Sequence, residues 1–399
     1  MNRIAVLVVR DSSPIRFAGL DLADRAARVA RRAGAETVQI VDDDQPFQKA
    51  PAADLLVVLP ERVVVEPGLV ADLMRRSLVG LEDAAVVMDG EGKSTDILLL
   101  SRDAVKRIRF APRVRLGLRQ LAAEAVVVVV TPGSRFCARL RDARDVARVE
   151  AEYLRATNGG DGEGFFTRNI RWFSIPLSRR LVRLGATANV VTIGGFALAV
   201  GAGLSFAAGH YWAGIGGALL YWASMVLDCS DGEVARVTVS DSKFGAWLET
   251  VTDYLSYFVV LGGIVWGDVR WEGFCKHAMS AIVAAVATAA IVLLVGYLRA
   301  RVASDNPGGF DDALAAELRG GNSIQRFAVW GRQLIKRSFV AHLILFQALI
   351  GELPALTEIW AIGSVAALLI VVAVHTHIIR TVKTSPLQPV VTVLCGSRY

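Results

Sequence analysis

Cysteine is scarce in this 399-residue chain. The four present, Cys137, Cys229, Cys275 and Cys395, are scattered with no CxxC pair, which excludes a disulfide framework and a structural zinc module. Charge is thin as well: 21% of residues are charged against 53% hydrophobic, and mean hydropathy is +0.44. Ordinary soluble domains are about a quarter charged, so a wholly soluble protein is not expected. Disorder is excluded by the same figures, because low hydrophobicity and dense charge are its signature. The net charge of +6 is a mild excess. It suits the cytoplasmic loops of a membrane protein better than a nucleic-acid groove, and no nucleic-acid partner is expected. The opening residues MNRIAVLVVRDSS hold too short an apolar run for a signal peptide, so the N-terminus is expected in the cytoplasm.

The composition changes near residue 165. Before it, the strand-sized apolar runs 3–10, 36–41, 54–59, 84–89 and 125–130 are rich in β-branched residues. Between the first two lies LADRAARVARRAGA, residues 22–35, with apolar positions at helical spacing and Gly34 near its end. That rhythm predicts a soluble α/β domain with a mainly parallel sheet, its strands apolar because helices cover both faces. The expected division is 1–150 for this domain, 151–188 for a linker with an interfacial amphipathic helix, 189–383 for an all-α six-helix transmembrane bundle, and 384–399 for a tail.

Six runs after residue 188 have bilayer-spanning length: roughly 189–208, 211–227, 244–265, 277–298, 339–356 and 359–379. Arg168, Arg171, Arg179, Arg180 and Arg183 precede the first. Arg299, Arg301, Arg319, Arg326, Arg332, Lys336 and Arg337 separate the fourth from the fifth. Both basic groups read as cytoplasmic, which places both termini inside a multi-pass plasma (inner) membrane protein. Arg270 and Lys276 on the opposite side are a mild exception. Residues 165–184 interleave Trp172, Phe173, Leu177 and Leu181 with arginines, as an interfacial helix does.

The informative stretch is LDCSDGEVARVTVSDSKFGAWLETVTDYLSYF, residues 227–258. Asp228 and Asp231 share one helix face at i,i+3, and Glu249 and Asp253 share another at i,i+4. A helix–turn–helix bringing these faces together would bury four like charges, which is prohibitive unless cations neutralise them. Hard oxygen donors at this density suit Mg²⁺, Mn²⁺ or Ca²⁺, with room for two ions. Such sites recur where a phosphoryl group is transferred.

Asp228-x-x-Asp231-Gly232-x-x-Ala235-Arg236, eight residues, then Gly245-x-x-x-Glu249-x-x-x-Asp253 resembles the signature of the CDP-alcohol phosphotransferases, with glutamate at 249 where the family has its third aspartate. ATANVVT, residues 186–192, is similar to the Pro-Asn-x-x-Thr that opens the family's first span, with Ala188 in the proline position and Asn189 and Thr192 kept. The resemblance covers roughly residues 161–383. It implies a six-helix bundle, usually a homodimer, whose site opens to the cytoplasm. Members cleave a CDP-alcohol such as CDP-diacylglycerol, release CMP and pass the phospho-alcohol to an acceptor hydroxyl. Position by position, it implies Asp228, Asp231 and Glu249 as metal ligands (Mg²⁺ or Mn²⁺, two ions). Asp253 would be both a ligand and the general base. Gly232, Arg236 and Ser242 would lie toward the CDP portion. A glycine lets a ligand approach the backbone, and a guanidinium forks onto pyrophosphate oxygens.

Arg332, Lys336 and Arg337 could bind an anionic acceptor such as a polyol phosphate, or anchor the chain to anionic lipid. The first domain faintly resembles the nucleotidyltransferase fold. Its first loop, residues 8–25, holds Gly19 alone, and Glu61 and Arg62 stand where a metal-binding aspartate is expected. A catalytically silent domain is therefore expected. Two alternatives remain open on the sequence: a bifunctional cytidylyltransferase and phosphotransferase, and an ion-coupled transporter using its intramembrane acids.

Overall fold

The computed structural model describes residues 4–381, apart from 12–14, 45–52, 76–83, 89–93, 109–113, 115–117, 119–126, 131–134, 159–164, 273–276 and 302–336. Arg319, Arg326, Arg332, Lys336 and the tail 384–399 lie outside the described residues, as do the side chains of His375 and His377. The chain forms two compact units. The first comprises Met1–Asp161, Arg179–Gly185 and Ala235–Ser240; the second comprises Gly162–Ser178, Ala186–Val234 and Asp241–Tyr399.

In the first unit, six strands form one sheet: β1 (Ile4–Arg10), β4 (Thr37–Asp42), β5 (Leu55–Pro60), β7 (Ala84–Met88), β8 (Ser94–Ser101) and β9 (Val127–Val130), ordered β4-β1-β5-β8-β7-β9. The β1–β4, β1–β5 and β7–β9 pairs are parallel, but β8 runs antiparallel to both β5 and β7. The sheet is therefore mixed rather than mainly parallel. The added strand is β8, STDILLLS, whose polar first half hid it among turn residues. Side chains alternate across the sheet. Val6 and Val8 pack toward α1 (Leu22–Arg32) and α2 (Pro67–Arg75), while Ala5 and Leu7 pack toward α3 (Arg102–Ile108). Each such fully buried valine or leucine contributes roughly 1.5–3 kcal/mol.

Helix α1 begins where Asp21 accepts hydrogen bonds from the amides of Ala23 (3.0 Å) and Asp24 (3.2 Å). It ends at Gly34, whose φ of 95° only glycine adopts without strain. Two short hairpin strands, β2 (Arg16–Phe17) and β3 (Leu20–Asp21), precede it, and β6 (Val63–Val65) pairs with β10 (Cys137–Arg139). α4 (Asp145–Asn158) follows in the same unit.

The second unit is helical: the first part of α5 (Phe165–Arg183), α6 (Ala188–Ala207), most of α7 (Tyr211–Thr238), α8 (Lys243–Glu272), α9 (Ala278–Arg301), α10 (Arg337–Ile350) and α11 (Ala355–Thr381). The last six fall on the six runs read from the sequence. Two of them, α6 over Ala188–Ala207 and α8 over Lys243–Arg270, are long and apolar enough to cross a bilayer; the apolar stretches described in α9, α10 and α11 are shorter. In α7, glycine, tyrosine and tryptophan dilute the first half, while Asp228, Asp231, Glu233 and Arg236 occupy the second.

Helices α6 and α8 touch backbone to backbone, and a Cβ on Gly263 would run into the main chain of Gly203. Around them Ala199, Phe206, Tyr221, Met225, Ile264 and Ile344 form a core shared by α6, α7, α8 and α10. Large apolar side chains such as Ile193, Leu204, Trp266, Met279 and Ile362 are exposed on the outside of this unit.

Candidate active site

Within the second unit, α7 carries Asp228 and Asp231 on the face turned to α6 and α8. Asp228, Asp231 and Asp253 line one small cavity together with Thr192 of α6, Ser256 of α8 and Arg337 of α10. Thr192 donates its hydroxyl to Asp231 Oδ2 at 2.6 Å. The guanidinium of Arg337 donates to Asp228 Oδ1 at 2.8 Å, pairs with Asp253, and lies 5.7 Å from the centre of the Tyr257 ring. Glu249 stands one turn before Asp253, close enough for its charge to be felt at both Asp231 and Asp253.

One guanidinium thus shares the cavity with three carboxylates, and Glu249 does not line it. Each pair of like charges about 4 Å apart repels by roughly 4 kcal/mol at an effective dielectric of 20. Asp231 is 3% exposed, and its Oδ1 is buried without a hydrogen-bond partner. A divalent cation answers both features, since it takes carboxylate oxygens and cancels the surplus charge. Among the described residues no three or more acidic, histidine or cysteine side chains are grouped closely enough to hold a metal ion by themselves, and Arg337 pairs with both Asp228 and Asp253. The donor set fits Mg²⁺ or Mn²⁺.

The other residues singled out from the sequence lie elsewhere. Gly232 is half-buried on α7. Ser242 is exposed and caps α8, its Oγ accepting from the Gly245 amide at 2.9 Å. Gly245 is where a Cβ would press on Asn189 Oδ1 and Ser242 Oγ, so a small residue is needed there for close approach. Arg236 belongs to the first unit, where it donates to Asn158 Oδ1 and its carbonyl accepts from the Tyr153 hydroxyl at 3.3 Å.

Sequence reasoning missed Glu233, which is fully buried on the far side of α7. Its Oε1 accepts from Arg171 (2.9 Å) and Ser174 (2.7 Å), and its Oε2 from Ser178 (2.7 Å). The available signal was a glutamate followed within three residues by an arginine, which reads as an ordinary solvated helix end.

In the first unit, Glu61 accepts the Asp11 amide at 2.9 Å and Arg62 pairs with Asp11 at 2.8 Å. These groups border a cavity of about 160 Å³ at the carboxyl ends of β1 and β5.

Residues 186–379 match the family model of the CDP-alcohol phosphatidyltransferases. Phosphatidylinositol phosphate synthase of Mycobacteroides abscessus is 33% identical over 128 residues, covering 32% of this chain and 54% of that protein. The enzyme of the same name from Mycolicibacterium smegmatis is 28% identical over 53% of this chain and 85% of its own length. The bifunctional IPC transferase and DIPP synthase of Aquifex aeolicus is 32% identical over 39% of this chain and 37% of its length. The chain therefore spans about half the length of the first of these relatives. A crystal structure of Mycobacterium tuberculosis phosphatidylinositol phosphate synthase aligns with 25% identity and a TM-score of 0.32, over 52% of this chain and 95% of that one.

Proposed function

We propose that this chain, whose residues 186–379 carry the CDP-alcohol phosphatidyltransferase signature, is a divalent-metal-dependent membrane transferase. It would move a phospho-alcohol group, phosphatidyl in the first instance, from a CDP-alcohol to an acceptor hydroxyl and release CMP. The observation that carries this reading is the convergence of Asp228, Asp231 and Asp253 on one cavity, with a buried oxygen of Asp231 lacking a partner.

In this reading Asp228, Asp231, Glu249 and Asp253 would hold Mg²⁺ or Mn²⁺, two ions at full occupancy. When bound, the metal would supply charge neutralisation at the pyrophosphate oxygens and polarisation of phosphorus. Asp253 takes the acceptor's proton. The acceptor oxygen forms a bond to the phosphorus bearing the alcohol, the bond from that phosphorus to the bridging oxygen breaks, and CMP leaves with the electron pair. Gly232 and Ser242 would lie toward the CDP portion. The relatives' names point to an inositol phosphate as the acceptor. Arg337, the guanidinium beside the carboxylates, supplies a cation for its phosphate.

The six helices would span the membrane with both termini cytoplasmic, as a homodimer, and residues 165–184 would lie at the interface. The N-terminal domain is read as catalytically silent, because Arg62 is already committed to Asp11 and Glu61 to the backbone. The test is to incubate the purified full chain with Mg²⁺, CDP-diacylglycerol and a panel of alcohols that includes inositol phosphate. Mg²⁺-dependent CMP release with one acceptor is expected; no release with any acceptor overturns the reading. Pyrophosphate formed from CTP and an alcohol phosphate would establish the bifunctional alternative instead.

A further inference from the structure

Glu233 is a buried carboxylate that the proposed chemistry does not use. It follows Asp231 by two residues and Asp228 by five. At about 100° per residue it points roughly 160° from Asp231 and 140° from Asp228, toward the back of α7. There it meets three donors from α5, Arg171, Ser174 and Ser178, spaced at i, i+3 and i+7 and so on one stripe of that helix. Ser230, three residues before Glu233, adds to the same seam by donating to the Val226 carbonyl at 2.8 Å and standing 3.4 Å from the Ser174 carbonyl. Ser174, Ser178, Ser230 and Glu233 are all at most 1% exposed, so this is a dry, hydrogen-bonded seam.

A buried charge held by an ion pair and two hydroxyls has few alternative positions, since turning α7 in either direction would strip it of partners. The front of α7 needs that fixity. Asp228 and Asp231 repel each other and their neighbours, and without a restraint at the back the helix could relieve the repulsion by rotating.

We infer that Glu233 is a positioning residue: clamped by Arg171, Ser174 and Ser178, it sets the rotation of α7 that presents Asp228 and Asp231 as a metal-binding pair. This makes α5 a working part of the site rather than a linker. The inference rests on the proposed metal role of those aspartates, but not on the identity of the reaction.

Metal binding is the primary readout, followed on the full-length protein by calorimetric Mn²⁺ titration and by the rise in melting temperature on adding Mg²⁺. Glu233→Gln is expected to weaken Mn²⁺ binding about tenfold or more, the usual scale for groups that orient metal ligands. Its CMP release should need correspondingly more Mg²⁺ and recover at saturating metal. Replacing Arg171 with Met in the Glu233→Gln protein removes the cation that faced the lost carboxylate and should restore part of the affinity. Ser178→Ala, which deletes one neutral donor, should shift affinity in the same direction and keeps the test available if Glu233→Gln does not fold. A folded variant of either kind with unchanged Mn²⁺ affinity overturns the inference. If wild type binds Mn²⁺ and the variants bind it weakly, yet no acceptor yields CMP, the clamp stands and the transferase reading falls.

Discussion

Thr192 donates to Asp231 at 2.6 Å, joining α6 to the helix that carries the first acidic pair. The bond leaves Asp231 Oδ1 buried and open. Thr192→Val keeps the shape of the side chain and removes the donor, leaving that carboxylate with less compensation. The expected cost in EDTA is about 1–3 kcal/mol, seen as a lower melting temperature. Saturating Mg²⁺ should return much of the loss, because the metal then supplies what the hydroxyl did. An equal deficit with and without metal would argue against a cation at Asp231.

Asp253 and Asp228 touch the same guanidinium, but the proposed chemistry gives them different tasks. Asp253→Asn should abolish CMP release in a protein that still folds, since a carboxamide cannot take the acceptor's proton. Asp228→Ala should instead lose metal binding, read directly by calorimetry. Near-normal turnover in Asp253→Asn would remove it as the base.

Much of this was legible in the sequence because it rests on short-range periodicity. β-branched runs located β1, β4, β5, β7 and β9, and i,i+3 and i,i+4 spacing put the acids on facing helices. What escaped depended on partners distant in sequence. Strand β8 opens with Ser94, Thr95 and Asp96, and only its pairing with β5 and β7 makes it a strand. On sequence Arg337 suits an anionic acceptor or an anionic lipid surface equally, yet it lies against acids 84 and 109 residues earlier. Glu233 looks solvated until α5 is folded against it.

Glu249 is one methylene longer than the aspartate of the family signature. In the proposed site the longer arm could still ligate, but it would shift the ion or the facing helix. Glu249→Asp should therefore change the ratio of Mg²⁺- to Mn²⁺-supported CMP release and lower the Mg²⁺ concentration for half-maximal rate. Identical metal profiles for the two proteins would mean that residue 249 does not touch the ions.

Arg337 has two separable effects. Without metal it offsets the charge of Asp228 and Asp253, so Arg337→Gln should lower the melting temperature in EDTA. With metal bound, its proposed task is to meet the acceptor's phosphate. The same variant should then raise KM for a phosphorylated acceptor at least tenfold and leave KM for the CDP-alcohol nearly unchanged. A rise confined to the donor would place Arg337 on the nucleotide side.

The first unit has its own buried cation. Arg25, on α1, is 2% exposed and donates to the carbonyls of Val65 (3.3 Å) and Val237 (3.2 Å), with its guanidinium carbon 4.9 Å from the centre of the Phe17 ring and 5.0 Å from that of Tyr153. Burial lowers its pKa from the usual guanidinium value, with Tyr153 opposing the shift. Only a planar fork with several donors reaches two divergent carbonyls while stacking on aromatic faces. Arg25→Met forfeits two charge-assisted hydrogen bonds and both ring contacts, about 3 kcal/mol or more. Arg25→Lys should recover little of it, because an ammonium cannot reproduce the fork. Melting of the full-length protein, with limited proteolysis following residues 1–161, checks both variants. If the lysine variant matched wild type, the residue would matter for its charge alone and not for the geometry that ties α1 to the end of α7.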